Sequence, residues 1–108
     1  MATLDECRQA LHHLAAQLAA KSAGTDLDRT LTWFVNDLNA GFHGRLTGGR
    51  LIDVADGDDP TAKIKVTSSS DDMVAMLHGR LHVGKAMMSN RVQIHASVFD
   101  LLKLKRML

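Results

Sequence analysis

Two histidines are the side chains whose spacing comes closest to that of a metal site. His78 and His82 are four residues apart, the separation at which two imidazoles on one continuous helix can bind the same ion. Gly79 lies between them and is expected to end that helix, and no third ligand is evident near them. The sequence therefore argues against a metal centre, and no cofactor is expected.

The remaining candidates for chemistry are equally isolated. Several aspartates between residues 53 and 59 suggest a calcium loop by composition, but they lack the EF-hand spacing. The single cysteine, Cys7, excludes an intrachain disulfide, and its place on an apolar helical stripe indicates packing instead of nucleophilic chemistry. The other histidines are interpreted as exposed or strand residues, namely His12, His13, His43 and His95. An enzyme is not expected.

The composition is that of a folded protein, which we expect to form one domain over residues 1–108. Hydrophobic residues make up 45% of the chain, and six methionines accompany one Trp, three Phe and no Tyr, so the expected core is aliphatic and rich in thioethers. The N-terminus lacks the pattern of a secretory signal, and the longest apolar run, Met73–Leu77, is far shorter than the ~20 residues of a membrane span. A cytoplasmic location is expected.

The net charge of +1 argues against a nucleic-acid-binding protein, but the charges are unevenly distributed. Residues 1–60 carry 5 basic and 9 acidic side chains, a net of −4, whereas residues 61–108 carry 8 basic and 3 acidic side chains, a net of +5. One interpretation is a basic face that makes transient contact with an anionic membrane surface. The other is ordinary scatter over a solvated surface.

The N-terminal segment has the pattern of an amphipathic helix. Thr3 and Glu6 can form a capping box, in which each side chain bonds to the backbone N–H of the other residue. Apolar residues then recur at alternating spacings of three and four, which places on one stripe Leu4, Cys7, Leu11, Leu14 and Leu18. The pattern predicts a helix over residues 4–22 that stops at Gly24.

Between residues 27 and 67 apolar residues alternate with polar ones, which is typical of half-buried strands. Thr47-Gly48-Gly49 can supply the positive φ angles of a tight hairpin, and Pro60 marks a solvated turn. The alternation predicts four strands, carrying Leu31, Trp33 and Val35; Ala40, Phe42 and Leu46; Ile52 and Val54; and Ala62, Ile64 and Val66. Because the links are short, we expect the four strands to form an antiparallel meander.

The remainder of the chain predicts two short helices, a fifth strand and a last helix. A serine among residues 68–70 is expected to cap the first short helix, and the second is predicted over residues 82–88. Asn90 stands at a left-handed cap position before a strand over residues 91–96. The last helix begins near Ser97, and its apolar arc is so wide that we expect it to dock deeply or to cover something apolar.

Three segments near the C-terminus follow one another in a recognisable order. They are SSDDMVAMLHGRL at 69–81, KAMMSNRVQI at 85–94 and ASVFDLLKL at 96–104. Together with the preceding helix and four strands, this set resembles the sterol carrier protein family, the non-specific lipid-transfer domain, in its short bacterial form. Two departures stand out, because Asn90 replaces the glycine usual in the family and Ala96-Ser97 replaces a glycine-aspartate pair.

The resemblance implies an α+β fold with a five-stranded, mainly antiparallel sheet, helices packed on one face and an apolar tunnel between the layers. It also implies the binding or transfer of a fatty acyl, sterol or isoprenoid ligand, with no chemistry on it. Thioether side chains tolerate different ligand shapes, which suits the methionines of the two short helices. The residues expected to line the site are Trp33, Phe42, Ile64, Val66, Met73, Met76, Leu77, Met87, Met88, Val92, Ile94, Phe99 and Leu102.

Each of these residues has a second interpretation as ordinary core packing, since methionines at helical spacing usually fill a core. The whole chain likewise has a second interpretation as a protein-interaction or dimerisation module with a filled cavity, including one that is accessory to an enzyme. In that case the Ala-rich first helix and the apolar last helix would dock a partner or a second copy, giving a homodimer. Ligand binding and the oligomeric state distinguish the two.

Overall fold

The computed structural model describes the backbone of residues 1–21 and 27–107, and the side chains of residues 1–20 and 27–103. Four helices and five strands lie within these ranges, in the predicted order. They are α1 (Leu4–Lys21), β1 (Asp28–Val35), β2 (Ala40–Thr47), β3 (Arg50–Asp56), β4 (Ile64–Ser68), α2 (Ser70–Leu77), α3 (Val83–Met88), β5 (Val92–His95) and α4 (Val98–Met107). Gly24, the predicted stop of α1, lies outside the described residues.

Helix α1 begins with the predicted capping box. The backbone N–H of Glu6 donates to the Thr3 hydroxyl, and the backbone N–H of Thr3 donates to the Glu6 carboxylate, each over 3.1 Å. Two of the donors that a helix N-terminus leaves unpaired are thereby satisfied. The predicted stripe faces the core, with Cys7, Leu11 and Leu18 buried and with Leu4 and Leu14 partly buried against them.

The first three strands form an antiparallel meander, as predicted. The turn between β2 and β3 consists of Gly48 and Gly49 with φ angles of 58° and 78°, a conformation that a residue with a Cβ adopts only at a cost. The prediction that the meander continues through β4 is wrong. Strand β4 does not pair with β3. It pairs in parallel with β1, so that the strand order is β3-β2-β1-β4-β5.

The connection from β3 to β4 crosses the polar face of the sheet to make this parallel pairing. It is held there by Thr32 of β1, whose hydroxyl donates to the Asp58 carboxylate over 2.7 Å and accepts from the backbone N–H of Asp59 over 2.9 Å. A Cβ at Gly41 would lie 3.0 Å from the Trp33 carbonyl oxygen and within 3.3 Å of Asp58, so this close crossing requires glycine at that position.

A β-bulge explains a second departure from the prediction, in β3. Gly44 of β2 lies opposite two residues of β3, because the register shifts between His43 and Arg45 and Asp53 takes a φ angle of 56°. The bulge reverses the alternation of β3. As a result Leu51 is buried, whereas Ile52, which the simple alternation places inward, is 39% exposed.

The first short helix is capped by a serine, as predicted, whereas the cap of the second was not predicted. The Ser69 hydroxyl accepts from the backbone N–H of Asp72 at the start of α2, and Gly79, with a φ angle of 76°, follows its end. The His82 ring caps α3 by accepting from the backbone N–H of Gly84. Asn90 has a φ angle of 59°, which confirms the left-handed turn before β5.

The core lies between one face of the sheet and helices α1 and α2. The inward strand residues and the apolar faces of these helices form one continuous buried cluster. The opposite face of β4 and β5 carries the exposed side chains of Lys65, Gln93 and His95. Among the described helices, none combines the length and the apolar character needed to cross a bilayer.

A buried polar contact fixes α2 to the turn after β1. The Asp37 carboxylate accepts from the backbone N–H of Ser70 over 2.8 Å and from its hydroxyl over 2.7 Å, and the Ser70 side chain is fully buried. Desolvation raises the pKa of the Asp37 carboxyl, but the hydrogen bonds from Ser70 lower it more, so that this pKa lies below its ordinary value.

We expect Asp37→Ala to lower the free energy of unfolding at pH 7 by about 1 kcal/mol, because the buried Ser70 hydroxyl loses its acceptor. A carboxyl whose pKa is lowered in the folded state stabilises the fold above its unfolded pKa of about 3.9, and this contribution is lost as the pH falls through the folded-state pKa. The difference between variant and wild type should therefore shrink in acid. Urea denaturation at several pH values measures it.

Asp71→Ala is the matched control, because it also removes a carboxylate that lies at the start of α2. That carboxylate makes an exposed ion pair with the N-terminal ammonium group of Met1, which is expected to stabilise the fold little. An equal loss of stability in the two variants, or an Asp37→Ala deficit that persists undiminished below pH 3, would show that the Asp37–Ser70 contact does not stabilise α2.

Candidate functional site

The sheet supplies the floor of the predicted ligand site. Inward-facing residues of four strands are buried there, at 8% exposure or less for Trp33, Phe42, Ile64, Val66 and Val92, and Ile94 packs partly buried against them. They are adjacent because the parallel pairing of β1 with β4 sets Trp33 beside Val66, and the pairing of β4 with β5 sets Val66 beside Ile94.

The floor contains one buried polar pair. The indole N–H of Trp33 donates to the Ser68 hydroxyl over 2.9 Å, and that hydroxyl donates to the Ser69 carbonyl oxygen over 3.0 Å. Trp33 can therefore be buried without leaving its N–H unpaired. Ser68 was not among the residues predicted for the site, although its place on the inward side of a strand that also carries Ile64 and Val66 could have identified it.

Helix α2 supplies the wall that faces this floor. Met73 is fully buried, Met76 is 8% exposed and Leu77 is 6% exposed, and all three belong to the same cluster as the strand residues. Their positions at i, i+3 and i+4 place them on one side of the helix. The structure thus brings together nine of the thirteen residues expected at the site, which we call the apolar layer: Trp33, Phe42, Ile64, Val66, Met73, Met76, Leu77, Val92 and Ile94.

The other four expected residues lie at the surface. Met87 and Met88 of α3 are 38% and 89% exposed, and α3 turns only Ala86 fully inward. Phe99 and Leu102 of α4 are 77% and 57% exposed. In the described structure these four side chains are therefore not part of the apolar layer.

Helix α4 is held by a polar contact that sequence reasoning did not identify. The Ser97 hydroxyl accepts from the backbone N–H of Asp100, as expected for a cap, over 3.1 Å. The Asp100 side chain is buried and accepts from Nε of Arg29 over 3.1 Å, joining α4 to the start of β1. Because Arg29 and Asp100 are 71 positions apart, no local sequence pattern predicts that they pair.

A depression of about 640 Å³, lined by polar and charged residues, lies next to this contact. It opens at the end of the sheet where β1 begins, and its charged lining distinguishes it from the apolar tunnel that the family resemblance implies. The lining residues are Asp28, Arg29, Thr30, Arg45, Lys63, Ser97 and Asp100. Within it, Asp28 accepts from Nε of Arg45 over 2.8 Å, and this hydrogen bond holds the pKa of the Asp28 carboxyl below its usual range.

The candidate nucleophile Cys7 is buried between α1 and α2. Its Sγ lies 3.9 Å from the Ser70 carbonyl oxygen, and desolvation, assisted by the negative charge of Asp37, raises the pKa of the thiol to about 11. A thiol of this kind is protonated at neutral pH and is a poor nucleophile. Of the two histidines considered for a metal, His78 stacks on His13 with ring centroids 5.1 Å apart, and His82 caps α3.

Comparison with known protein families decides the identity of the fold. The model of the SCP-2 sterol transfer family matches residues 7–108. The chain belongs to this family. The predicted resemblance is therefore confirmed over nearly the whole chain, including the first helix. No curated protein matches the sequence.

Solved structures show the same SCP-2 fold. Sterol carrier protein 2 like 2 from Aedes aegypti superimposes with a TM-score of 0.70 at 18% identity, over 95% of this chain and 96% of that one. The palmitated form of that mosquito protein gives a TM-score of 0.70 at 15% identity, over 95% of this chain and 91% of that one. The predicted α+β fold, with its mainly antiparallel sheet of five strands, is confirmed.

A third SCP-2-like structure is part of a much larger protein. The sec-alkyl sulfatase PisA1 of Pseudomonas matches with a TM-score of 0.74 at 22% identity, over 99% of this chain. The match spans only 16% of the sulfatase chain. An SCP-2-like domain can therefore stand alone or form a small part of an enzyme.

We expect Cys7 to react very slowly with Ellman's reagent in the folded protein. A shift of the pKa from 9.0 to about 11 lowers the thiolate fraction at pH 8 about a hundredfold, and burial restricts access further. The labelling rate, followed by absorbance at fixed reagent concentration, should be at least about a hundredfold lower in the folded protein than in concentrated guanidinium chloride. Cys7→Ser provides the blank, and rapid labelling of the folded protein would contradict the placement of Cys7 in the core.

Proposed function

We propose that this SCP-2 protein binds one elongated apolar ligand of the fatty acyl, sterol or isoprenoid class in the apolar layer and releases it unchanged. The observation that carries the proposal is the continuity of the layer, in which buried apolar residues of β1, β2, β4, β5 and α2 belong to one cluster. Membership of the SCP-2 family and the palmitated relative point to the same chemical class of ligand.

The methionines make this layer adaptable. Met73 and Met76 have unbranched, flexible side chains that can repack around ligands of different shape, whereas branched residues such as Ile64 and Val66 give a firm floor. Transfer of one methylene from water into such surroundings contributes ~0.8 kcal/mol, so a chain of about ten carbons gains useful affinity without any polar contact.

The polar groups of the layer support binding without chemistry. The Trp33 indole and the Ser68 hydroxyl are hydrogen bonded, so neither is poised to attack or to polarise a ligand. Cys7, the nearest thiol candidate, has a pKa of about 11. We therefore propose a carrier and not an enzyme. A cytoplasmic location is part of this proposal.

Titration with saturated fatty acids of increasing chain length tests the proposal. We expect one ligand per chain, seen by native mass spectrometry. Displacement of a fluorescent fatty acid should show affinity rising about fourfold for each added methylene until the layer is filled, since each contributes ~0.8 kcal/mol. The proposal fails if binding does not saturate or if affinity is independent of chain length.

A pair of methionine substitutions locates the ligand. Met76→Ser places a polar group in the apolar layer and should weaken acyl binding about tenfold. Met88→Ser makes the same chemical change at a position that is 89% exposed and should leave binding unchanged. Met76→Leu restores apolar volume and should restore affinity, and circular dichroism checks that all three variants fold. Equal losses of acyl affinity in Met76→Ser and Met88→Ser would show that the ligand does not bind in this layer.

A further inference from the structure

A pair of histidine rings joins the middle of α1 to the end of α2. The rings of His13 and His78 have their centroids 5.1 Å apart and their planes inclined by 30°. His13 lies within α1, His78 is the C-cap residue of α2, and both side chains are exposed. In sequence the histidine nearest to His78 is His82, but the fold sets His78 against His13.

The ring nitrogens of this pair are available to bind something from solution. Two other histidines use a ring nitrogen within the fold, since Nδ1 of His43 lies 2.9 Å from the Gly57 carbonyl oxygen and Nδ1 of His82 caps α3. The rings of His13 and His78 contact each other but make no hydrogen bond to any residue whose side chain the structure describes. Nothing within that part of the chain therefore competes with a ligand for their nitrogens.

The backbone holds both histidines in fixed positions. The backbone N–H of His78 donates to the Val74 carbonyl oxygen over 3.0 Å, and that of Gly79 donates to the Met76 carbonyl oxygen over 3.1 Å, which closes the end of α2. His13 lies inside α1, whose buried stripe packs against the core and against α2. Because both Cα atoms belong to packed elements, only side-chain torsions need to adjust when the rings bind a ligand.

The distance between the two rings is suited to one shared metal ion. Two imidazoles that bind zinc through N–Zn bonds of about 2.0–2.1 Å, at tetrahedral angles, have their ring centroids roughly 5 Å apart. The centroids of His13 and His78 are already at this separation. Since their planes are close to parallel, each ring must turn about its own torsions until a nitrogen points at the ion, and exposed side chains change torsions at little cost.

We infer that His13 and His78 together bind one divalent transition-metal ion of the Zn²⁺ class. Imidazole nitrogen is a ligand that such ions prefer, whereas Mg²⁺ and Ca²⁺ prefer oxygen. Among the residues whose side chains the structure describes, no third His, Cys, Asp or Glu joins the pair to form a metal cluster. Water therefore completes the coordination, and the affinity is lower than that of a structural zinc site with four protein ligands.

An ion at this site ties the end of α2 to α1. The start of α2 is already joined to α1, because Sγ of Cys7 lies 3.9 Å from the Ser70 carbonyl oxygen. The residues that α2 contributes to the apolar layer lie between these two attachments, so a bound ion restrains the outward movement of this wall. The effect on an acyl ligand rests on the proposed function, whereas binding of the metal does not.

Calorimetric titration of the untagged full chain with zinc chloride at neutral pH tests the inference. The wild type should bind one Zn²⁺ per chain, and saturating Zn²⁺ should raise the midpoint of thermal unfolding by several degrees, because the ion binds the folded state. Magnesium chloride should do neither. His13→Ala and His78→Ala should each weaken Zn²⁺ binding at least about tenfold, since the remaining imidazole cannot chelate the ion alone.

Two further histidines provide matched controls. His12→Ala removes an exposed imidazole from the neighbouring position of α1 and should leave the Zn²⁺ affinity unchanged. His82→Asn removes the histidine four residues after His78 but keeps a side-chain acceptor for the cap of α3, and it should also leave the affinity unchanged. Circular dichroism checks that all four variants fold.

Three results would overturn the inference. One is the absence of Zn²⁺ binding, or wild-type affinity in His13→Ala or His78→Ala. A second is loss of binding in His82→Asn but not in His13→Ala, which would assign the ion to His78 and His82. The third is one ion per two chains with a dimer in light scattering, which would place the ion between copies.

Release of a fluorescent fatty acid, with and without Zn²⁺, separates this inference from the proposed function. Zn²⁺ should slow release severalfold in the wild type and leave it unchanged in His13→Ala. Zn²⁺ binding by a protein that binds no fatty acid would refute the proposed function and leave the metal site. Equal release rates of the wild type with and without Zn²⁺ would refute the restraint on α2.

Discussion

Burial of one face of the sheet is the constraint on which the other features of this molecule depend. The buried inward residues of β1 and β4 are all apolar except Ser68, and the parallel pairing of these two strands sets them side by side in the centre of the sheet. Such a face must be covered, and α1 and α2 cover it with their own apolar sides. The polar face needs no helix, which leaves it free for the loop that the parallel pairing requires.

The crossing loop shows how a topological requirement selects individual residues. A chain that pairs β4 with β1 must pass over β2 and β1, and its backbone polar groups need partners on the way. Thr32 of β1 provides one donor and one acceptor, and Gly41 removes the Cβ that would collide with Asp58. The parallel pairing is thus stabilised by a threonine and a glycine whose roles cannot be inferred from hydropathy.

The features that could be predicted from sequence are those encoded locally. The α1 capping box, the Gly48-Gly49 turn and the left-handed Asn90 each depend on a few consecutive residues, and all three are confirmed. Period-two alternation identifies strands but carries no information on their partners, which is why a continued meander was predicted for β4. The alternation also fails across the bulge at Asp53. One extra residue in β3 turns Leu51 to the buried face of the sheet and Ile52 to the exposed face.

Nine of the thirteen residues predicted for the site cluster in the structure, for similar reasons, and their role in ligand binding stays a prediction. Residues of strands and of α2 have a periodicity that shows which side faces inward, and the nine that meet in the layer are of this kind. Residues of α3 and α4 are apolar around most of the helix, so composition alone cannot tell a buried side from an exposed one. Phe99 and Met88 therefore look like ligand contacts in sequence and lie at the surface in the structure.

The polar contacts of the helices differ between the two ends of the sheet. At the end where β1 stops, α2 is fixed by Asp37, by the Asp72–Arg91 ion pair and by the amino terminus. At the opposite end, where β1 begins, α4 is attached through the Arg29–Asp100 pair, next to an open depression. The two helices are thus attached unequally: α2 is held by polar contacts and by its buried apolar side, and α4 mainly by one buried carboxylate.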